Sequence, residues 1–252
     1  MKTPSNKINL NLKNDEKVWV KGFISPIEHT LSHFHKEWNA LATLQVVEPE
    51  KEYLTSVFQS FLPVESVFVG DIWQIKEIGV FELLRQLNPN PNLDMHIDSG
   101  DSNGLWACLR AYNDRFVDIQ FRIHAEFKLD GGWFTPSQFT GNLIIDRIEE
   151  KVVFFKMYVP DGTVNVDLNW DSADAGFCSQ MELTTGTQGD GHSIEFIEYI
   201  THEETECKLA LCFYNSVQIN WVSPFQAVKL AENQGKLIHV ISIDGPLRDE
   251  SC

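Results

Sequence analysis

Residues 116–129, FVDIQFRIHAEFKL, alternate without a break over fourteen positions. Phe116, Asp118, Gln120, Arg122, His124, Glu126 and Lys128 fall on one face; Val117, Ile119, Phe121, Ile123, Ala125, Phe127 and Leu129 fall on the other. Period two over that length specifies a β-strand with one apolar and one polar face, because successive side chains of a strand point to opposite sides. A strand this long needs neighbours, and the flanking sequence supplies them. LWACLRAY at 105–112 precedes it, and residues 141–146, 152–159 and 164–170 follow, separated by Gly-rich, RIEE and PDG turns. Short connections between such runs predict an antiparallel meander.

Helices are expected elsewhere. Ser25-Pro26-Ile27-Glu28 reads as an N-cap, a Pro at N1 and an acidic N3, followed by Ile27, Leu31, Phe34, Trp38 and Leu41 at helical spacing. A second helix is expected over 49–62, and a third over 78–87, stopped by the NPNPN run at 88–92. Residues 194–213 fit either helix or strand. Ser223-Pro224 opens another helix, Gly235 closes it, and residues 237–243 form an almost continuous apolar run of the kind found in a strand covered on both faces. The expected class is α+β: a large antiparallel sheet followed by the opening half of a thioredoxin-like α/β unit. The expected division is a flexible N-terminus (1–17), a sheet domain (18–215) and a partial thioredoxin-like domain (216–252).

Composition limits the partners. The 36 Asp and Glu residues against 20 Lys and Arg give a formal net charge of −16. Such a surface repels phosphates, which argues against nucleic acid and anionic membranes. The N-terminal residues lack the apolar core of a secretory signal, and no run is long enough to span a bilayer, so a soluble cytoplasmic protein is expected. The five cysteines, Cys108, Cys178, Cys207, Cys212 and Cys252, are scattered and never spaced C-x-x-C, which fits neither a disulfide framework nor a zinc site. The first four read as small core residues and Cys252 as the candidate reactive thiol.

Other constellations have simpler readings. His29 and His33 share a helical face in the expected first helix, but no HExxH pattern or nearby carboxylate completes a metal site. His124 and Glu126, with Asp118 and Arg122 on the same strand face, read as an exposed salt-bridged surface rather than a carboxylate pair for glycoside chemistry. His192, beside Gly189-Asp190-Gly191, belongs to no phosphate loop, and no Walker A, G-x-G-x-x-G or G-x-S-x-G motif occurs. No cofactor and no metal are called for.

The closing segment AVKLAENQGKLIHVISIDGPLRDESC (227–252) resembles the approach to the redox site of the selenoprotein N family, where a helix and an apolar strand lead to G-x-L-x-D-x-S-C followed by selenocysteine. Gly245, Leu247, Asp249, Ser251 and Cys252 occupy those positions. The block 122–170 is similar to the same family's central domain, through His124-Ala125-Glu126-Phe127, Thr135-Pro136, Phe139, Gly141, Tyr158-Val159-Pro160 and Asn165-Val166-Asp167. The resemblance covers roughly 64–252. It implies a thiol or selenol oxidoreductase acting on a protein disulfide or a peroxide, with Cys252 as the catalytic thiol and Gly245, Leu247, Asp249 and Ser251 supporting it. It also implies that the sequence stops one residue short of the selenocysteine; an in-frame UGA after the Cys252 codon, followed by coding sequence, is the expected finding, and UAA or UAG would contradict it. Asp249 and Glu250 would raise the Cys252 pKa, and a following helix N-terminus would lower it. Family members described as membrane-bound calcium sensors carry an EF-hand, whereas Asp94, Asp98 and Asp101 lack the EF-hand order, so the resemblance here is to a soluble relative of bacterial type. The reading from another class is a non-catalytic protein-binding module with a structural C-terminal unit.

Overall fold

The computed structural model describes residues 6–14, 16–27, 29–30, 33–93, 104–136, 138–159, 166–169, 174–177, 180–185, 194–213, 222–238 and 240. The class is α+β, dominated by antiparallel strands. In chain order the strands are β1 (Lys17–Ile24), β2 (His29–Thr30), β3 (Glu50–Leu54), β4 (Ile72–Gln74), β5 (Pro91–Asn92), β6 (Leu105–Tyr112), β7 (Phe116–Ile123), β8 (Glu126–Leu129), β9 (Gly132–Pro136), β10 (Phe139–Asp146), β11 (Lys151–Tyr158), β12 (Val166–Asn169), β13 (Asp174–Phe177), β14 (Met181–Thr185) and β15 (Glu198–Tyr199). The helices are α1 (Phe34–Glu37), α2 (Asn39–Ala42), α3 (Thr55–Gln59), α4 (Glu77–Leu87), α5 (His202–Phe213) and α6 (Pro224–Gln234).

The strands form two sheets with one underlying order. The nine-stranded sheet runs β15-β6-β7-β10-β11-β14-β1-β3, with β4 also on β6; the six-stranded sheet runs β2-β13-β12-β9-β8-β5. Read from β5, the smaller order is β5, β8, β9, β12, β13, β2, and the matching stretch of the larger is β6, β7, β10, β11, β14, β1. Each pair is consecutive in the chain. At each of these six pairs the chain passes from one sheet to the other, and the two sheets adjoin along a seam. Backbone bonds continue pairing there: His124 N–H donates to Gly104 O (2.8 Å), Val159 to Met181 (2.9 Å) and Ser25 to Gln180 (2.8 Å). The long alternating strand is therefore two, β7 in the large sheet and β8 in the small one, broken at His124-Ala125.

The apolar face of β7 lies in the core. Phe121 meets Phe61 (4.9 Å between centroids) and stacks on Phe155 (5.7 Å), while Phe58, from α3, meets Phe155 edge-on at 5.2 Å. Such contacts combine large apolar burial with favourable ring geometry. Gly141 sits opposite Phe121 in the ladder, where a Cβ would come within 2.1 Å of the Lys156 carbonyl and 2.4 Å of the Phe121 ring. Across the seam, Phe127 stacks on Phe134 and meets Phe139, continuing the same core.

Several expectations are corrected. The helix expected from Ser25 is absent: β1 reaches Ile24, the Ser25 amide stays in the strand ladder, and only α1 and α2, one turn each, follow. His33 has a left-handed backbone (φ 62°), which ends any common helical face with His29 in β2. The helix expected over 49–62 is β3 followed by α3, because pairing with β1 brings Lys17 to Glu52 and Lys21 to Glu50. Within the N-terminal stretch read as loose, Ile8, Leu10 and Leu12 are buried, and Ile8 bridges Val67.

Candidate functional site

Gly245, Leu247, Asp249, Ser251 and Cys252 lie outside the described residues, as do Asp94, Asp98, Asp101, Cys178 and His192. The approach to the motif is described as far as Val240. The N-terminus of α6 is held by a capping box: Ser223 Oγ accepts from the Gln226 amide (3.4 Å), and Gln226 Oε1 accepts from the Ser223 amide (3.3 Å), with Pro224 at the first helical position. Gly235 closes the helix in the left-handed region (φ 60°), and Lys236 N–H donates to Ala231 O. Beyond it, Leu237, Ile238 and Val240 are in no strand and are exposed, Leu237 completely. The covered strand expected there does not form over these three residues. A cleft of about 190 Å³ between α6 and this segment is lined by Val222, Ala227, Leu230 and Leu237.

The central residues carrying the family resemblance gather at the seam. His124, Glu126, Thr135 and Gln138 are all buried, Phe139 opens β10, and Tyr158 closes β11 with Val159 next to it. Arg122 Nε donates to Gln138 Oε1 across the break, and Asn92 Nδ2 donates to Glu126 Oε1 (3.1 Å). The expectation of an exposed salt-bridged face is therefore wrong for this strand. Asp118, Gln120, His124 and Glu126 lie inside the protein and Arg122 is half-buried; of this face only Lys128 is exposed. Asp118 and Arg110 form a buried ion pair at 2.5 Å, and Asn142 Nδ2 donates to the other Asp118 oxygen at 3.2 Å. A charge pair taken out of water persists only with such additional hydrogen bonding.

Beside the seam, a groove of about 800 Å³ runs between the end of α4 and the β8–β9 hairpin. Arg85, Asn90, Asn92, Lys128 and Trp133 line it, with Glu126 at its base. It offers cations, amides, a carboxylate and an indole, a surface suited to a polar chain with an apolar side group. The alternation pattern signals Glu126 and Lys128 as one face of a strand. Arg85, Asn92 and Trp133 come from three separate elements, and no local pattern links them.

The polar face of β7 is covered by α5. Arg122 places its guanidinium over the Phe213 ring (5.7 Å), and Arg110 does the same over Phe196 (5.1 Å). Under this cover Cys108 is fully buried. Burial pushes its thiol up to about 12, against the opposing pull of the Lys208 ammonium. Cys212, half-buried on α5, is also raised by burial. Cys207 is exposed, against the expectation of a core residue. Among the described residues, no group of three or more His, Cys, Asp or Glu is placed to hold a metal, and no helix is long and apolar enough to cross a membrane.

Comparison with known proteins places the chain. Selenoprotein N of Danio rerio is 29% identical over 267 aligned positions, covering 79% of this chain and 47% of that protein. The chain is related to selenoprotein N. The human protein is 26% identical and the mouse protein 25%, each over 295 positions and 92% of this chain. The chain spans about half the length of these selenoprotein N relatives, 48% of the human and 51% of the mouse protein. No protein-family model and no solved structure matches.

Proposed function

We propose that this selenoprotein N-like chain is part of a thiol or selenol oxidoreductase in which Cys252 exchanges with a disulfide. The observation that carries the reading is the closing sequence Gly245-Pro246-Leu247-Arg248-Asp249-Glu250-Ser251-Cys252, set after a capped helix in a relative of selenoprotein N. In the proposed cycle the Cys252 thiolate attacks one sulfur of a protein disulfide. The S–S bond breaks, the leaving thiolate takes a proton, and Cys252 is held in a mixed disulfide. A second thiol or selenol then attacks the Cys252 sulfur and releases the other half of the substrate as a thiol. Two electrons pass to the substrate, and the new bond from Cys252 to the resolving group accounts for them. A peroxide is the other oxidant class this chemistry accepts. The acidic surface favours substrates without phosphate.

The test is the rate of exchange between the purified gene product and an aromatic disulfide that releases a coloured thiol. Cys252→Ser is expected to abolish the fast phase, and Cys207→Ser to leave it intact. Equal fast phases in wild type and Cys252→Ser overturn the proposal. The groove by the seam favours a second reading, a protein-binding module whose sheet domain holds an extended polar segment. On that reading the exchange rate is indifferent to Cys252, and Trp133→Ala weakens partner capture.

A further inference from the structure

Cys108 is in β6, opposite Gln120 of β7. Cross-strand partners share a face, and Arg122, two residues on from Gln120, shares it too. Arg122 lies over the Phe213 ring of α5, so the face that carries Cys108 is the one α5 covers. On α5 the buried positions are Thr205, Leu209 and Ala210. Cys212 follows Leu209 by three residues and Lys208 by four, so it lies on the same side of the helix. Lys208 shows how close that side comes: its Nζ is 3.3 Å from Gly70 O, and the Gly70 amide donates to Leu109 O, the residue next to Cys108. The Cys212 thiol donates a weak hydrogen bond to Lys208 O at 3.5 Å. Two cysteines from distant parts of the chain thus face the same interface from opposite sides.

We infer that Cys108 and Cys212 are a dithiol–disulfide couple that can tie α5 covalently to β6, a redox site separate from Cys252. The oxidant class is a small-molecule disulfide of the glutathione type. Cys212, the more accessible of the two, attacks it as a thiolate. A bond from Cys212 to one half of the oxidant forms, the oxidant's own S–S bond breaks, and the first small thiol leaves with a proton. Cys108 then loses its proton and attacks the Cys212 sulfur. The mixed disulfide breaks, the Cys108–Cys212 bond forms, and the second small thiol leaves. Two protein thiols are oxidised and one small disulfide is reduced to two thiols. Burial holds both groups as thiols at neutral pH, so the couple reacts slowly and discriminates against casual alkylation.

The experiment oxidises the folded gene product with glutathione disulfide, alkylates it in denaturant, and maps the peptides by mass spectrometry. Wild type, Cys252→Ser, Cys108→Ser and Cys212→Ser are compared, and far-UV circular dichroism confirms that each is folded. The expected result is a peptide linking Cys108 to Cys212, with loss of Cys108 alkylation, in both wild type and Cys252→Ser. Cys212→Ser, at a half-exposed site, should leave Cys108 fully alkylated. Full alkylation of Cys108 in oxidised wild type overturns the inference. So does Cys212 joined only to glutathione, Cys207 or Cys252. Because Cys252→Ser removes the other proposed site, the two proposals fail independently.

Discussion

The two faces of β7 are both buried, and they are built on opposite principles. One face joins a cluster of phenylalanine rings, Phe121 with Phe155 of β11 and with Phe61 just past α3, and Phe155 with Phe58 of α3. The other carries an ion pair, an amide and a thiol within the sheet and lies under α5, with Arg122 over Phe213 of that helix and Arg110 over Phe196. Apolar–polar alternation specifies that the faces differ. It does not specify that the polar one is wet, because a polar face can be covered if its groups satisfy one another. The apolar face gains stability roughly in proportion to area buried, while the polar face gains little net energy and depends on every partner being present.

This contrast sets the order of mutational effects. Phe155 meets Phe58, Phe61 and Phe121 within 5.8 Å, so Phe155→Ala should cost about 4 kcal/mol in urea unfolding, a value typical of a fully buried aromatic. On the other face, Asp118→Ala strands the buried Arg110 guanidinium and should cost about 3 kcal/mol. The double variant Arg110→Met with Asp118→Leu should recover most of that loss; a double variant as unstable as the single would show that the polar face is worth more than its pairing. Asp146 lies at the end of β10, where burial raises its pKa but the Glu149 and Ile148 amides and Arg115 outweigh burial and lower it overall. Its stabilisation is complete above the unfolded-state value of about 3.9 and is lost as pH falls through the lower folded value. Asp146→Asn should therefore cost about 1.5 kcal/mol at pH 7, and its deficit should shrink in acid. At the small end, Phe225→Ala on α6, where Phe225 is 87% exposed, should change stability by less than about 0.5 kcal/mol.

Legibility followed the range of the forces involved. β6 was readable from its own residues, α4 from its helical spacing and the NPNPN stop, and α6 from Ser223-Pro224 and Gly235, because each boundary is decided locally. Residues 25–62 were not. Their spacing imitates a helix, but the ladder between β1 and β3 and the bond from Ser25 to Gln180 are formed with distant partners and override local preference. The seam was invisible for a related reason: a strand that passes from one sheet to another at His124-Ala125 keeps its alternation. The closing motif was legible as a sequence resemblance, whereas the groove beside Trp133 depends on three elements that only the fold brings together.

Cys207 provides a control for the functional account. It is exposed and flanked by Glu203, Glu204 and Glu206, as Cys252 is preceded by Asp249 and Glu250, so carboxylates alone do not distinguish the two thiols. The decisive measurement is a time course of peptide-level mass spectrometry on the gene product reacting with a limiting aromatic disulfide. The account predicts that the mixed disulfide forms first on Cys252, about tenfold ahead of Cys207, because the proposed site makes Cys252 the attacking thiol. A first adduct on Cys207, or equal rates at the two sites, would contradict it.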